Sequence, residues 1–215
     1  MYTLFGSPGS GSAAAECGLV LAGAPYRVIE AASWEQNDAL EELARANPLR
    51  QIPTLRLADG AILTESAAIL MHLGLAFPQS GLLGAEPARR DQALRGLVYI
   101  PANCYSCITV LDYPERFTTA TDEASLAAVR AGTRERLHRH WDIFADVFPV
   151  AAGSFLGGER PGALDILAAV VSRWSGARQH LKGSRPEFLA LLERVEAHPS
   201  LAAVFARHWP KPAGG

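Results

Sequence analysis

Apolar residues come in short runs over the first third of the chain and at helical spacing beyond it. Tyr2-Thr3-Leu4-Phe5 and Pro25-Tyr26-Arg27-Val28-Ile29 combine β-branched and aromatic residues next to glycine or proline, and read as strands. Between them, Ser10 or Ser12 stands before Ala13-Ala14-Ala15-Glu16, a run of high helix propensity, so a helix is expected to Ala22 with Gly23 closing it. Strand, helix, strand in so short a span is a βαβ unit, which implies parallel pairing and a right-handed crossover. Asp38 to Ala46 reads as a further, weakly amphipathic helix. It ends at Asn47-Pro48, because the residue before a proline is pushed out of the helical region.

The stretch from Asn47 to Ile69 continues the pattern. Ile52-Pro53-Thr54-Leu55 opens a strand with proline at its start, and Ile-Pro is a candidate cis bond. Asp59-Gly60 lies between the apolar runs Leu55 to Leu57 and Ala61 to Leu63, a hairpin signal. Thr64-Glu65-Ser66 then precedes a helical run, so a helix is expected from Glu65 to Leu75. The order β-α-β-α-β-β-α implies a mixed sheet of about four strands with helices on its faces.

Phe77 to Gly84 carries the proline, glycine and serine of a linker. Beyond it no strand pattern recurs. Glu86 to Asp112 reads as one long helix kinked at Pro101. Tyr113-Pro114 interrupts, and Phe117 to Thr121 reads as loop. Glu123 to Phe148, Pro161 to Gly176, Pro186 to Ala197 and Ser200 to Ala206 read as helices. The expected organisation is therefore an α/β domain over 1–77, a linker over 78–85 and an all-helical domain over 86–215.

Composition narrows the function classes. Of 215 residues, 49% are hydrophobic and 20% charged, enough apolar material for a core and too much for wholesale disorder. The net charge is −2 without a Lys/Arg block, which points away from nucleic acid and anionic membranes. Neither a signal peptide nor a membrane span is read from the pattern. Three cysteines do not make a disulfide framework, and a cytoplasmic setting is expected.

Chemistry concentrates in Asn47 to Ile69. A turn at Ile52-Pro53 would leave the Ile52 backbone groups to pair with an extended peptide, as an added strand does. The helix beginning near Glu65 aims free N–H groups and a positive dipole end at the same edge, which suits a carboxylate. The competing reading is an ordinary hairpin followed by a capped helix.

These residues resemble a known family. The segment from Asn47-Pro48 to Ile52-Pro53, the run Glu65-Ser66-Ala67-Ala68-Ile69 and the segment from Gly157-Gly158 to Asp165-Ile166 look like a cytosolic glutathione S-transferase of bacterial type. The resemblance covers essentially the whole chain. It implies a thioredoxin-like N-terminal domain, an all-α C-terminal domain, glutathione as substrate and no metal. By the same resemblance Ile52, before Pro53, pairs with the cysteinyl backbone of glutathione. Glu65 and Ser66 hold the γ-glutamyl end, Gln51 contacts the glycyl end or the backbone, and Arg50 pairs with a carboxylate. Catalysis in the family lowers the thiol pKa of bound glutathione, because the thiolate is the nucleophile. The hydroxyl for this is expected at the start of the first helix, with Ser10 first, Ser12 second and Ser7 as a further candidate. A serine that only caps the helix is the alternative. Tyr99, Asn103, Tyr105 and Cys107 are the candidates to line the pocket for a hydrophobic electrophile, against a helix simply packed in its own domain.

The chain departs from the family pattern at Glu16, where many members carry arginine, at Arg50, where glycine is common, and at Gly162, where a Ser/Thr caps the buried helix. Cys104-Tyr-Ser-Cys107 lies inside a helix of the second half, where buried structural thiols are expected, as for Cys17. His138-x-His140 lacks metal-ligand spacing on a helix. Trp141 and Trp174 are expected in the core, and Trp34 beside the second strand. The implied protein is a cytoplasmic homodimer that adds glutathione to a small hydrophobic electrophile. A non-catalytic glutathione-binding or protein-interaction member of the fold is the second reading. A glutathione-dependent reductase or isomerase is the third, and lacks a cysteine at the serine positions.

Overall fold

The computed structural model describes residues 1–32, 38–149 and 154–210; Trp34 lies outside them. The first half forms β1 (Tyr2–Gly6), α1 (Ser12–Ala22), β2 (Tyr26–Glu30), α2 (Ala39–Ala46), β3 (Thr54–Arg56), β4 (Ile62–Thr64) and α3 (Ser66–Ala76). The strand order is β2-β1-β3-β4. β1 runs parallel to β2 and antiparallel to β3, and β4 closes the hairpin over Asp59-Gly60. This is the mixed sheet expected from the βαβ unit and the hairpin.

β1 is central and buried on both faces because its side chains alternate. Leu4 enters the main core with α1 and α3, while Phe5 packs on the other face with Ala31 and Leu43 of α2. α1 and α3 approach closely. A side chain at Gly18 would meet Leu70 at 2.7 Å and Leu73 at 3.0 Å, so the hydrogen at this position sets the helix spacing.

The second half is helical. It contains α4 (Pro87–Tyr99), a π-helical segment (Ile100–Tyr105), α5 (Ser106–Asp112), α6 (Glu123–Val147), α7 (Ala163–Val171), α8 (Ala177–Ser184), α9 (Pro186–Ala197) and α10 (Ala202–His208). The single helix expected over Glu86 to Asp112 is three pieces. Pro101 has no N–H, so the carbonyl of Leu97 loses its usual partner and the ladder widens by one residue.

The expected helix over Pro161 to Gly176 is shorter, since it starts after Gly162 and stops at Val171. α8 was not anticipated. Only Ala177 and Leu181 of its eight residues are buried, too few for a periodic signal. The final helix lies two residues later than expected, at Ala202–His208.

α7 is buried along its whole length and forms the floor on which α1, α3 and α4 rest. Its start is held by Asp165, whose carboxylate accepts N–H bonds from Leu156 at 2.7 Å and from Gly157 and Gly162 at 2.8 Å. The segment after α3 is no loose tether. It makes a short 3-10 turn at Pro78–Ser80, buries Leu82 and Leu83, and the Leu82 carbonyl accepts from the Ala163 N–H at 2.8 Å. Trp141 is fully buried, as expected, whereas Trp174 is only partly so and packs on Tyr105. Among the described residues no helix is long and apolar enough to cross a membrane.

Candidate functional site

The site begins with a buried asparagine. Asn47 ends α2 and its amide nitrogen donates to the Gln51 carbonyl at 3.1 Å and to Thr54 Oγ1 at 3.0 Å, while its oxygen accepts from the Leu49 N–H at 3.0 Å. Thr54 Oγ1 donates to the same Gln51 carbonyl at 2.8 Å. Two side chains thus pin the loop from both ends, and the Ile52-Pro53 bond that follows is cis. The sequence marked Asn47 only as a helix stop, although its short amide beside a proline is a turn-forming signal.

Beyond this lock the backbone is open. Among the described residues the N–H and C=O of Ile52 make no hydrogen bond. The Gln51 side chain is exposed. Arg50 is exposed in the left-handed region (φ 53°) and forms no ion pair among the described residues.

Glu65 takes the same unusual region (φ 66°) at the position that starts α3, and its side chain is exposed. Ser66 is buried at that helix start, and its hydroxyl donates to the Gly11 carbonyl at 3.4 Å. Gly11 itself caps α1. The N-termini of α1 and α3 therefore meet beside Pro53, where their unpaired N–H groups favour negative charge.

Of the serines before α1, Ser10 and Ser12 are closed on the loop, whereas the Ser7 hydroxyl makes no hydrogen bond among the described residues. Ser10 Oγ donates to the Ser7 carbonyl at 2.7 Å and lies 2.8 Å from Ser12 Oγ, which is 3.1 Å from the same carbonyl. Ser12 Oγ also accepts from the Ser7 N–H at 3.1 Å, and Ser10 Oγ from the Ser12 N–H at 3.2 Å. Each hydroxyl has one proton, and both protons have acceptors inside the loop. Ser7, Ser10 and Ser12 are all buried.

A different hydroxyl reaches this place. A Cβ built on Gly11 would stand 3.0 Å from Tyr105 Oη, 3.4 Å from Ser66 Oγ and 3.6 Å from Pro53 Cδ. Tyr105 closes the π-helical segment and leans on Trp174, with ring centroids 5.7 Å apart. Among the described residues its hydroxyl has no hydrogen-bond partner. Burial, then the charges of Asp112 and Glu65, push its pKa up, so it stays a protonated donor at neutral pH.

The other expected pocket residues turn inward. Tyr99 Oη donates to the His140 carbonyl at 3.0 Å and its ring packs on Phe144 and Phe148. Asn103 Nδ2 donates to the Tyr99 carbonyl at 3.1 Å, and Cys107 Sγ to the Asn103 carbonyl at 3.1 Å. The structure brings Tyr105 alone of these four to the meeting point of α1 and α3, because the widened helical turn directs it there. All three thiols are buried, and burial pushes each of their pKa values up.

Glu16 is also explained. It is buried on α1, and its carboxylate accepts from Tyr26 Oη at 2.9 Å, from His208 Nε2 at 2.7 Å and from Arg207. Burial alone would raise its pKa. The hydrogen bonds from His208 and Tyr26 and the charge of Arg207 outweigh burial and hold it below the usual range. The end of α10 thereby lies against the serine loop. Gly9 sits there in the left-handed region (φ 71°), where a side chain would be strained and would touch the His208 carbonyl at 3.7 Å. Among the described residues no group of three His, Cys, Asp or Glu is placed to hold a metal ion.

Comparison with known proteins agrees with this architecture. The family model described as "Glutathione S-transferase, N-terminal domain" matches residues 15–75. The chain is 29% identical to the uncharacterized GST-like protein YncG of Escherichia coli K12, over 97% of this chain and 98% of that one. It is 25% identical to the glutathione S-transferase GstA of Escherichia coli O157:H7, over 92% and 94% of the two chains. A glutathione transferase homologue from Sulfitobacter, solved with bound glutathione, superposes with a TM-score of 0.81 at 23% identity, covering 95% of this chain and 96% of that one.

Proposed function

We propose that the chain is a member of the glutathione S-transferase family, as the matches to a family model and to GST-like relatives support, and that it binds glutathione and adds its thiolate to a small hydrophobic electrophile. The observation that carries this reading is the Ile52 backbone, unpaired among the described residues, beside the joined N-termini of α1 and α3. An extended peptide pairs with Ile52 as an added strand would. Its γ-glutamyl carboxylate is received by Ser66 and the start of α3, its amino group by Glu65, and its glycyl end by Gln51 and Arg50. The cysteinyl sulfur then hangs over Pro53 towards Gly11. The electrophile enters from the helical side, where half-buried Tyr105 forms the edge of the expected pocket and Tyr99, Asn103 and Cys107 support it from within.

The serine loop contributes shape and the positive end of α1 to this site. Donation from Ser10 or Ser12 to the sulfur requires one of their internal hydrogen bonds to open. That closure favours one other reading, a member that binds glutathione without conjugating it. A reductase reading is disfavoured by three buried thiols with raised pKa values. We take the working form to be a cytoplasmic homodimer with domains divided near residues 78–85. Exposed Leu75 of α3 and Val98 of α4 offer apolar surface to a second subunit.

Calorimetric titration with glutathione tests the binding claim. Wild type is expected to bind at millimolar ligand or below, and Ser66→Ala to bind about tenfold more weakly, which is ~1.4 kcal/mol. No heat of binding at millimolar glutathione overturns the reading. Turnover of a chlorodinitrobenzene separates the conjugating enzyme from the binding-only protein.

A further inference from the structure

Most enclosed hydroxyls of this fold are spent. Ser10 and Ser12 satisfy each other and the Ser7 carbonyl, Ser66 reaches the Gly11 carbonyl, and Tyr99 reaches the His140 carbonyl. Tyr105 is different. Its hydroxyl, like that of Ser7, is without a partner among the described residues, and it is the tyrosine hydroxyl that stands in front of Gly11, at the meeting point of Ser66 and Pro53.

Gly11 has an ordinary helical backbone (φ −60°), so nothing in its conformation calls for glycine. What requires a hydrogen there is space. Any side chain would press on Tyr105 Oη at 3.0 Å. The widened turn after Pro101 and the edge of Trp174 hold the tyrosine ring in that direction.

We propose that Tyr105, supplied by the helical half, is the catalytic residue that donates its hydroxyl hydrogen bond to the glutathione sulfur, and that Gly11 is left bare to admit it. This rests on the glutathione reading above and names the residue that activates its thiol. The chemistry balances without a further reactant. The thiol proton leaves to solvent, and the thiolate accepts the Tyr105 O–H bond. A sulfur lone pair then forms the bond to the electrophilic carbon, and the halide departs with the bonding pair. A hydrogen bond to the charged form lowers the thiol pKa. The positive end of α1, an eleven-residue helix, acts in the same direction.

The experiment is an ultraviolet titration of the thiolate of bound glutathione in wild type, Tyr105→Phe, Gly11→Ala and Ser10→Ala. Tyr105→Phe is expected to raise the thiol pKa by about one unit, a tenfold loss of thiolate at low pH, with glutathione affinity within about threefold of wild type. Gly11→Ala displaces the hydroxyl without removing it, and is expected to raise the thiol pKa in the same direction. It keeps the test decisive should Tyr105→Phe fold poorly. Glutathione binding by wild type with an unshifted thiol pKa in Tyr105→Phe or in a folded Gly11→Ala overturns the Tyr105 assignment alone. A larger shift in Ser10→Ala than in Tyr105→Phe also overturns it and returns the role to the serine loop. Failure of wild type to bind glutathione removes the function reading and this assignment together.

Discussion

Two carboxylates are buried among the described residues, and they are held in opposite ways. Asp165 accepts three backbone N–H groups, all within nine residues of it. Glu16 accepts three side-chain donors, of which Arg207 and His208 lie 191 and 192 residues away. Backbone donors here come from the turn before α7 and from its cap, and among substitutions only proline removes an N–H outright. Side-chain donors join distant parts of the chain, and each can be removed singly. The first carboxylate organises α7, the floor of the molecule. The second ties α10 to α1 beside the serine loop. One is a structural cap, the other a latch.

The largest effect is expected from breaking the cap. Asp165→Ala leaves three buried N–H groups without acceptors, and at roughly 1–3 kcal/mol for each stranded group the loss should be about 4 kcal/mol in urea denaturation. A loss under about 1 kcal/mol would mean that water or a rearranged loop replaces the carboxylate. Glu16→Gln removes the charge of the latch and keeps most of its volume. Its cost is expected near 2 kcal/mol, as for hydrogen bonds to a charged group. Hydrogen exchange should show the loss concentrated in α10, whereas the Asp165 variant loosens the whole fold. Equal exchange across both variants would end the distinction between cap and latch.

The two groups should also part company with pH. The folded pKa of Glu16 lies below its usual 4.5, so its contribution is present above that value and is lost as pH falls through it. Burial pushes Asp165 up to about 6 against the pull of its N–H partners, from an ordinary value of 3.8. The sign is then reversed, because the folded state holds the proton more tightly and this group favours folding as pH falls from about 6 towards 3.8. The stability gap between wild type and Glu16→Gln should shrink below pH 4.5, and a constant gap across that range would contradict the assigned direction. The smallest effect is expected from Arg207→Ala. Its side chain is 52% exposed, and a solvated ion pair contributes about 0.5 kcal/mol.

The same contrast explains what could be read from the chain. The cap was legible: Gly157-Gly158 to Asp165-Ile166 stands within one short segment. The hairpin at Asp59-Gly60 and the halt at Asn47-Pro48 were equally local. The latch was visible only as a departure, a glutamate where arginine is common. Nothing near Glu16 in sequence announces His208. The candidate site divides in the same manner. Ile52, Pro53, Glu65 and Ser66 stand within one stretch, and the fold brings Pro53 and Ser66 together beside Gly11. Ser10 and Ser12 were named from the same kind of local pattern, yet their protons are taken up by the turn they build.

The amino-acid sequence by itself determined the element order of the first half, the mixed sheet and the helical character of the second half. Each of these follows from dihedral preferences, capping and apolar periodicity, which act over a few residues. Tertiary structure alone decided that Glu16 is latched from the far end of the chain and that Tyr105 of the helical half stands at Gly11 beside Ser66. Both depend on where helices of the second half rest against the first. That placement comes from packing spread over the whole core, with α7 at its centre, and no short stretch of sequence carries it.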